Sequence, residues 1–79
     1  MNEESVKQLV AEKAKVSSDQ LQVSQIDGEP EYWLVSLLDK SGQPLIGGAA
    51  YVVNSEGKVF ESSGSLPPAA RLDAAKNWF

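Results

Sequence analysis

The sequence predicts an α+β fold: one antiparallel sheet of three or four strands, with an N-terminal and a C-terminal helix packed on one face. Three observations predict it. Apolar residues recur at helical spacing near both ends, and strand-like runs separated by turn residues fill the middle. The stretch Leu45–Phe60 carries the third: an apolar run meets Asn54-Ser55-Glu56-Gly57 and then restarts, which is the pattern of a β-hairpin. The 79 residues form one domain, 1–79. A chain this short buries only about 60% of its unfolded surface, so its large apolar side chains are committed to a thin core.

The first helix is expected over about Glu3–Val16. Asn2 is a suitable N-cap, Glu3 and Glu4 oppose the positive end of the helix dipole, and Val6, Leu9, Val10, Ala14 and Val16 share one arc. Lys13 lies within that arc and is expected to lay its stem on the core with its ammonium in water. Ser17-Ser18-Asp19 ends the element. Leu21, Val23 and Gln25 then alternate as an edge strand, until Ile26 breaks the phase. Asp27-Gly28-Glu29-Pro30-Glu31 is turn chemistry. Tyr32 to Leu38 is apolar on both alternating sets, as expected of a central strand.

Asp39-Lys40-Ser41-Gly42 forms the next turn, Pro44 keeps the following strand from full pairing at its start, and Gly47-Gly48 suggests a bulge or close backbone approach. Tyr51 and Val53 should share one face of the hairpin, with Ala50 and Val52 on the other. After the Asn54–Gly57 turn, Lys58–Glu61 returns as a short strand, and Ser62-Ser63-Gly64-Ser65 reads as a loop. Pro67-Pro68 suits the first turn of a helix, where a missing N–H costs nothing, and Ser65 is a candidate cap. Leu72, Ala75 and Phe79 form the core stripe of that helix, with Ala74 and Trp78 beside it.

Composition narrows the chemistry. Cys and His are absent, so no disulfide, thiolate metal site or imidazole base is available. Eleven acids against seven bases give a net charge of −4, which disfavours nucleic acid and anionic membranes and favours a basic partner. The opening Met-Asn-Glu-Glu-Ser is acidic where a secretory signal is basic, and no run reaches the ~20 apolar residues of a membrane helix. The expectation is a cytoplasmic protein.

The serines sit beside Gly and Pro as caps and turn residues, without a neighbouring base, and no nucleophile motif accompanies them. Asp27, Glu29 and Glu31 have the spacing of a calcium loop's start, but Pro30 and the return to strand leave no room for its twelve residues. Gly47-Gly48 leads into a strand, not the helix N-terminus that a phosphate loop requires. Tyr32, Trp33, Tyr51, Phe60, Trp78 and Phe79 lack the interleaved Arg and Lys of a nucleic-acid surface. Most are core residues, with Trp33 or Trp78 left as a surface anchor for a protein partner. No catalytic, metal or cofactor residue is assigned.

The order of helix, aromatic strand Glu31-Tyr32-Trp33-Leu34-Val35, hairpin Gly48 through Val59 with Gly57 in its turn, and Pro67-Pro68 helix resembles bacterial polymorphic-toxin immunity proteins of the immunity-protein-35 type. A longer insertion before the second Gly, and often an Asp where Asn54 stands, distinguish that family's pattern. The PepSY domains, peptidase-inhibitory and propeptide-like, share a similar helix-then-strands layout. Either resemblance implies action by occupying a partner's surface. The expected function is a small non-enzymatic protein-binding module, an immunity-type inhibitor whose partner is a basic toxin domain. Its partner-binding residues are Asp27, Glu29, Glu31, Trp33 and Tyr51. The alternative is a small-ligand-binding domain, with a pocket between sheet and helices, or a peptidase-inhibitory PepSY-like domain, and an uncovered apolar sheet face would also serve as a homodimer surface.

Overall fold

The computed structural model describes residues 2–43 and 49–79. Helix α1 spans Glu3–Ala14, capped by the Asn2 side chain, which accepts from the Ser5 amide at 2.9 Å. It stops before the expected Val16 because Lys15 turns into the left-handed region at φ 59°, while its N–H still reaches the Ala11 carbonyl. A single turn of 3₁₀ helix at Ser18–Gln20, capped by Ser17, redirects the chain into the sheet.

The sheet has four antiparallel strands in sequence order: β1 Leu21–Ser24, β2 Trp33–Leu37, β3 Ala49–Val53 and β4 Val59–Ser63. Register follows Val23↔Val35, Val35↔Tyr51 and Tyr51↔Glu61, so these four positions share one face. Strand β1 is an edge and β2 is central, as expected. The hairpin turn closes with Gly57 at φ 84° and its N–H on the Asn54 carbonyl, while the Asn54 side chain accepts from the amides of Glu56 and Lys58. Strand β4 runs two residues past the expected Glu61, taking Ser62 and Ser63 out of the predicted loop. The expectations for Pro44 and Gly47-Gly48 fall outside the described residues.

Helix α2 spans Pro68–Trp78, with Pro67 as its N-cap and no side-chain cap bond. Ser65 does not cap it; its hydroxyl lies 2.7 Å from that of Ser63, folding the preceding turn on itself.

The α+β class, the four antiparallel strands and the two terminal helices agree with the sequence reading, but the helices do not lie on one face. Helix α1 packs Val6 and Val10 against Leu21, Val35, Tyr51 and Val53, whereas α2 packs Leu72 and Ala75 against Leu34 and Val52. Adjacent strand residues point to opposite faces, so the pairs Leu34/Val35 and Val52/Val53 require cover on both sides. Two helices on one face would leave Leu34, Val52 and Phe60 in water. The result is three layers with the sheet in the middle. Ile26, which breaks the phase of β1, packs, as do Tyr32, Phe60 and Phe79, against the cluster of Leu34, Val52, Leu72 and Ala75 in the α2 layer. No described helix is long and apolar enough to cross a membrane.

Candidate partner-binding site

Helix α2 ends on Trp78, followed by Phe79, and its stripe sets the environment of each. Leu72 and Ala75 are buried, and Phe79, seven residues beyond Leu72, follows the same line down onto the sheet and is half-buried. Trp78 lies off that line and is 60% exposed. It is nonetheless held from below: its ring is 5.6 Å from that of Phe60 on β4 and 5.6 Å from that of Phe79. Phe79 in turn stacks on Tyr32 at 6.2 Å and meets Phe60 edge-on at 6.5 Å. Tilted and edge-on contacts suit the quadrupoles of aromatic rings. Four aromatic residues from three parts of the chain thus form one cluster, and Trp78 is its water-facing member.

The acidic β1–β2 loop borders this cluster. Its backbone is set by Gly28 at φ 84°, by the Glu29 N–H on the Ile26 carbonyl, and by the Gln25 amide nitrogen donating to the Pro30 carbonyl at 2.8 Å. Glu29 then accepts a hydrogen bond from the Lys76 ammonium at 2.6 Å, and that ammonium also stands 5.4 Å from the centre of the Tyr32 ring. The Glu29 bond holds the lysine's pKa above its ordinary value, and the nearby Tyr32 and Asp73 raise it slightly further. Asp27, Glu31 and Asp73 are exposed. The lysine is neutralised by Glu29, which leaves the exposed carboxylates as the net charge of the border.

The five residues expected to meet a partner are divided by the sheet. Asp27, Glu29 and Glu31 lie in the loop beside Tyr32. Trp33 is half-buried in the α1 layer on the opposite face. Tyr51 is corrected outright: it is 5% exposed within that same layer, because β3 is an inner strand covered on both sides. Its hydroxyl donates to Glu61 at 3.2 Å, and burial, followed by the Glu61 carboxylate, raises its pKa. The sequence reading missed the joint site of Trp78, Phe79, Phe60 and Tyr32. Only the exposure of Trp78 had a local signal, its displacement from the Leu72–Ala75–Phe79 line.

On the α1 side, an open groove of about 400 Å³ is lined by Leu9, Glu12, Lys13, Gly57 and Val59. Neither Tyr32 nor Tyr51 lines it. Lys13 is exposed at its rim, with the charge in water as its helical position requires.

Other polar clusters serve the backbone. Asp39 Oδ1 accepts from the Ser41 amide and hydroxyl and from the Gln43 amide at 2.7–3.0 Å, which lowers its pKa and closes the turn after β2. Among the described residues no three acidic side chains converge as metal ligands. Compared with known proteins, the chain matches no family model, and no curated protein or solved structure matches it significantly. The likenesses to immunity-protein-35 proteins and PepSY domains rest on the residue pattern alone.

Proposed function

We propose that this chain is a non-enzymatic protein-binding module that covers a basic site on its partner, in the manner of an immunity-type inhibitor. Its contact surface is the end of α2 with the neighbouring β1–β2 loop. The observation that carries this reading is the exposure of Trp78, 60%, on a support of Phe60 and Phe79. An indole held in place before contact loses little rotamer freedom on binding, and Trp is enriched among residues that dominate interface energy. Asp27, Glu31 and Asp73 supply the complementary polarity: a lysine or arginine of the partner stacks on Trp78 while further cations face the carboxylates.

Calorimetric titration with the product of the adjacent gene tests the reading. Saturable binding is expected, and Trp78→Ala should weaken it by about 2 kcal/mol, roughly thirtyfold. Trp78 is 60% exposed but packs on Phe60 and Phe79, so the same substitution should lower folding stability by only about 1–2 kcal/mol and leave the protein folded. Equal affinity of the two proteins would remove Trp78 from the contact and the reading with it.

A further inference from the structure

The outer edge of β4 is a second surface, which adjoins the Trp78 cluster at Phe60 but offers backbone groups that the cluster does not use. Strand β4 pairs only with β3 in the described sheet. The Asn54 N–H bonds the Lys58 carbonyl, so Asn54 and Lys58 face each other across the hairpin. Alternation along an antiparallel pair then directs the backbone groups of Phe60 and Ser62 toward β3, and those of Val59, Glu61 and Ser63 outward. The Ser63 carbonyl is taken by the Leu66 amide. Among the described residues nothing bonds the N–H and C=O of Val59 or Glu61. The groove of Leu9, Glu12, Lys13, Gly57 and Val59 adjoins this edge on the α1 face. On the opposite face stands Phe60.

We infer that this edge accepts an extended segment of another protein as a fifth, antiparallel strand, with a lysine or arginine opposite Glu61. Charge complementarity selects that occupant. The Glu61 carboxylate is exposed, held by the Tyr51 hydroxyl, and sits on a chain of net charge −4. A cation directly opposite gains a cross-strand ion pair, whereas complete overlap of β4 with a second copy would set two Glu61 carboxylates against each other. Side-chain alternation fixes the rest. The residue after the cation meets Phe60, and the next one enters the groove over Leu9 and Val59, so the incoming strand reads basic, apolar, apolar.

Two hairpin peptides closed by D-Pro-Gly provide the test, one with an outer strand Thr-Lys-Phe-Val-Thr and one with Glu replacing its Lys. Each is titrated to high millimolar-range excess into the full chain while amide hydrogen exchange is followed by NMR. The lysine peptide should slow exchange at Val59 and Glu61 by about tenfold or more, leaving Phe60 and Ser62, already bonded to β3, nearly unchanged. Glu61→Lys should reverse the preference to the glutamate peptide. The inference is overturned if neither peptide protects Val59 and Glu61, if both do so equally, or if only signals of the Trp78 indole move. It is likewise overturned if the free protein associates through β4, seen as concentration-dependent protection of the same two amides. Binding at Trp78 is read on separate signals, so failure here leaves the proposed module reading to its own titration.

Discussion

Lys15 occupies a backbone conformation that suits glycine better than any side chain. At φ 59° it ends α1, with both its own N–H and that of Val16 on the Ala11 carbonyl. Left-handed geometry costs an L-residue about 1 kcal/mol, so Lys15→Gly should raise stability by roughly 0.5–1 kcal/mol in urea unfolding. Gly57 presents the opposite case at φ 84°, and Gly57→Ala should lower stability by a similar ~1 kcal/mol. The two tryptophans differ in the same local sense. With Trp33 replaced by Phe, the remaining fluorescence of Trp78 should be strongly quenched by acrylamide, while Trp78→Phe should leave a protected Trp33 emission. The neutral quencher avoids repulsion by the acidic surface.

Each helix is held to the sheet by few side chains, so its attachment is sensitive to single truncations. Helix α2 buries only Leu72 and Ala75 completely enough to count as core. Leu72→Ala should cost about 2–5 kcal/mol, measured from the urea midpoint, and should loosen the aromatic cluster at the far end of the helix. The Glu29–Lys76 pair joins the last turn of α2 to the β1–β2 loop across 47 residues of sequence. Lys76→Met should therefore speed hydrogen exchange in that turn more than in α1, a local opening and not a global one. At the level of elements, the fold depends on two separate apolar contacts, one on each side of the sheet.

For the molecule as a whole, the titrating groups bound a broad stability plateau. Tyr51 and Lys76 have pKa values raised above their ordinary 10.0 and 10.5, the first chiefly by burial and the second by its bond to Glu29. Stability linked to each is fully present below those values and is lost as pH climbs through the raised folded-state pKa. Asp39 is shifted the other way from 3.8, so its contribution is present above that value and is lost as pH falls through the lowered one. Urea midpoints should thus be flat through neutrality, and they should decline above about pH 10. Tyr51→Phe should remove the tyrosine share of the alkaline decline. A midpoint whose alkaline fall is unchanged in that variant would assign the effect to Lys76.

What the residues determined by themselves was local: the Asn2 cap, the Asn54–Gly57 turn, the central position of the Trp33–Leu37 strand, and the sharing of a face by Tyr51 and Val53. Each follows from a backbone preference or a periodicity spanning fewer than about ten residues. The placement of the helices on opposite faces was decided by tertiary structure, because alternation in β2 and β3 marks both faces as apolar without saying which helix covers which. The same holds for the candidate site. Tyr32, Phe60, Trp78 and Phe79 meet only because α2 crosses the face carrying Leu34 and Val52, and that crossing also brings Lys76 to Glu29 and leaves Trp78 in water. Tyr51 went inward for the converse reason: its exposure depended on whether α1 covered its face, and no property of the residue or its neighbours in sequence carries that information.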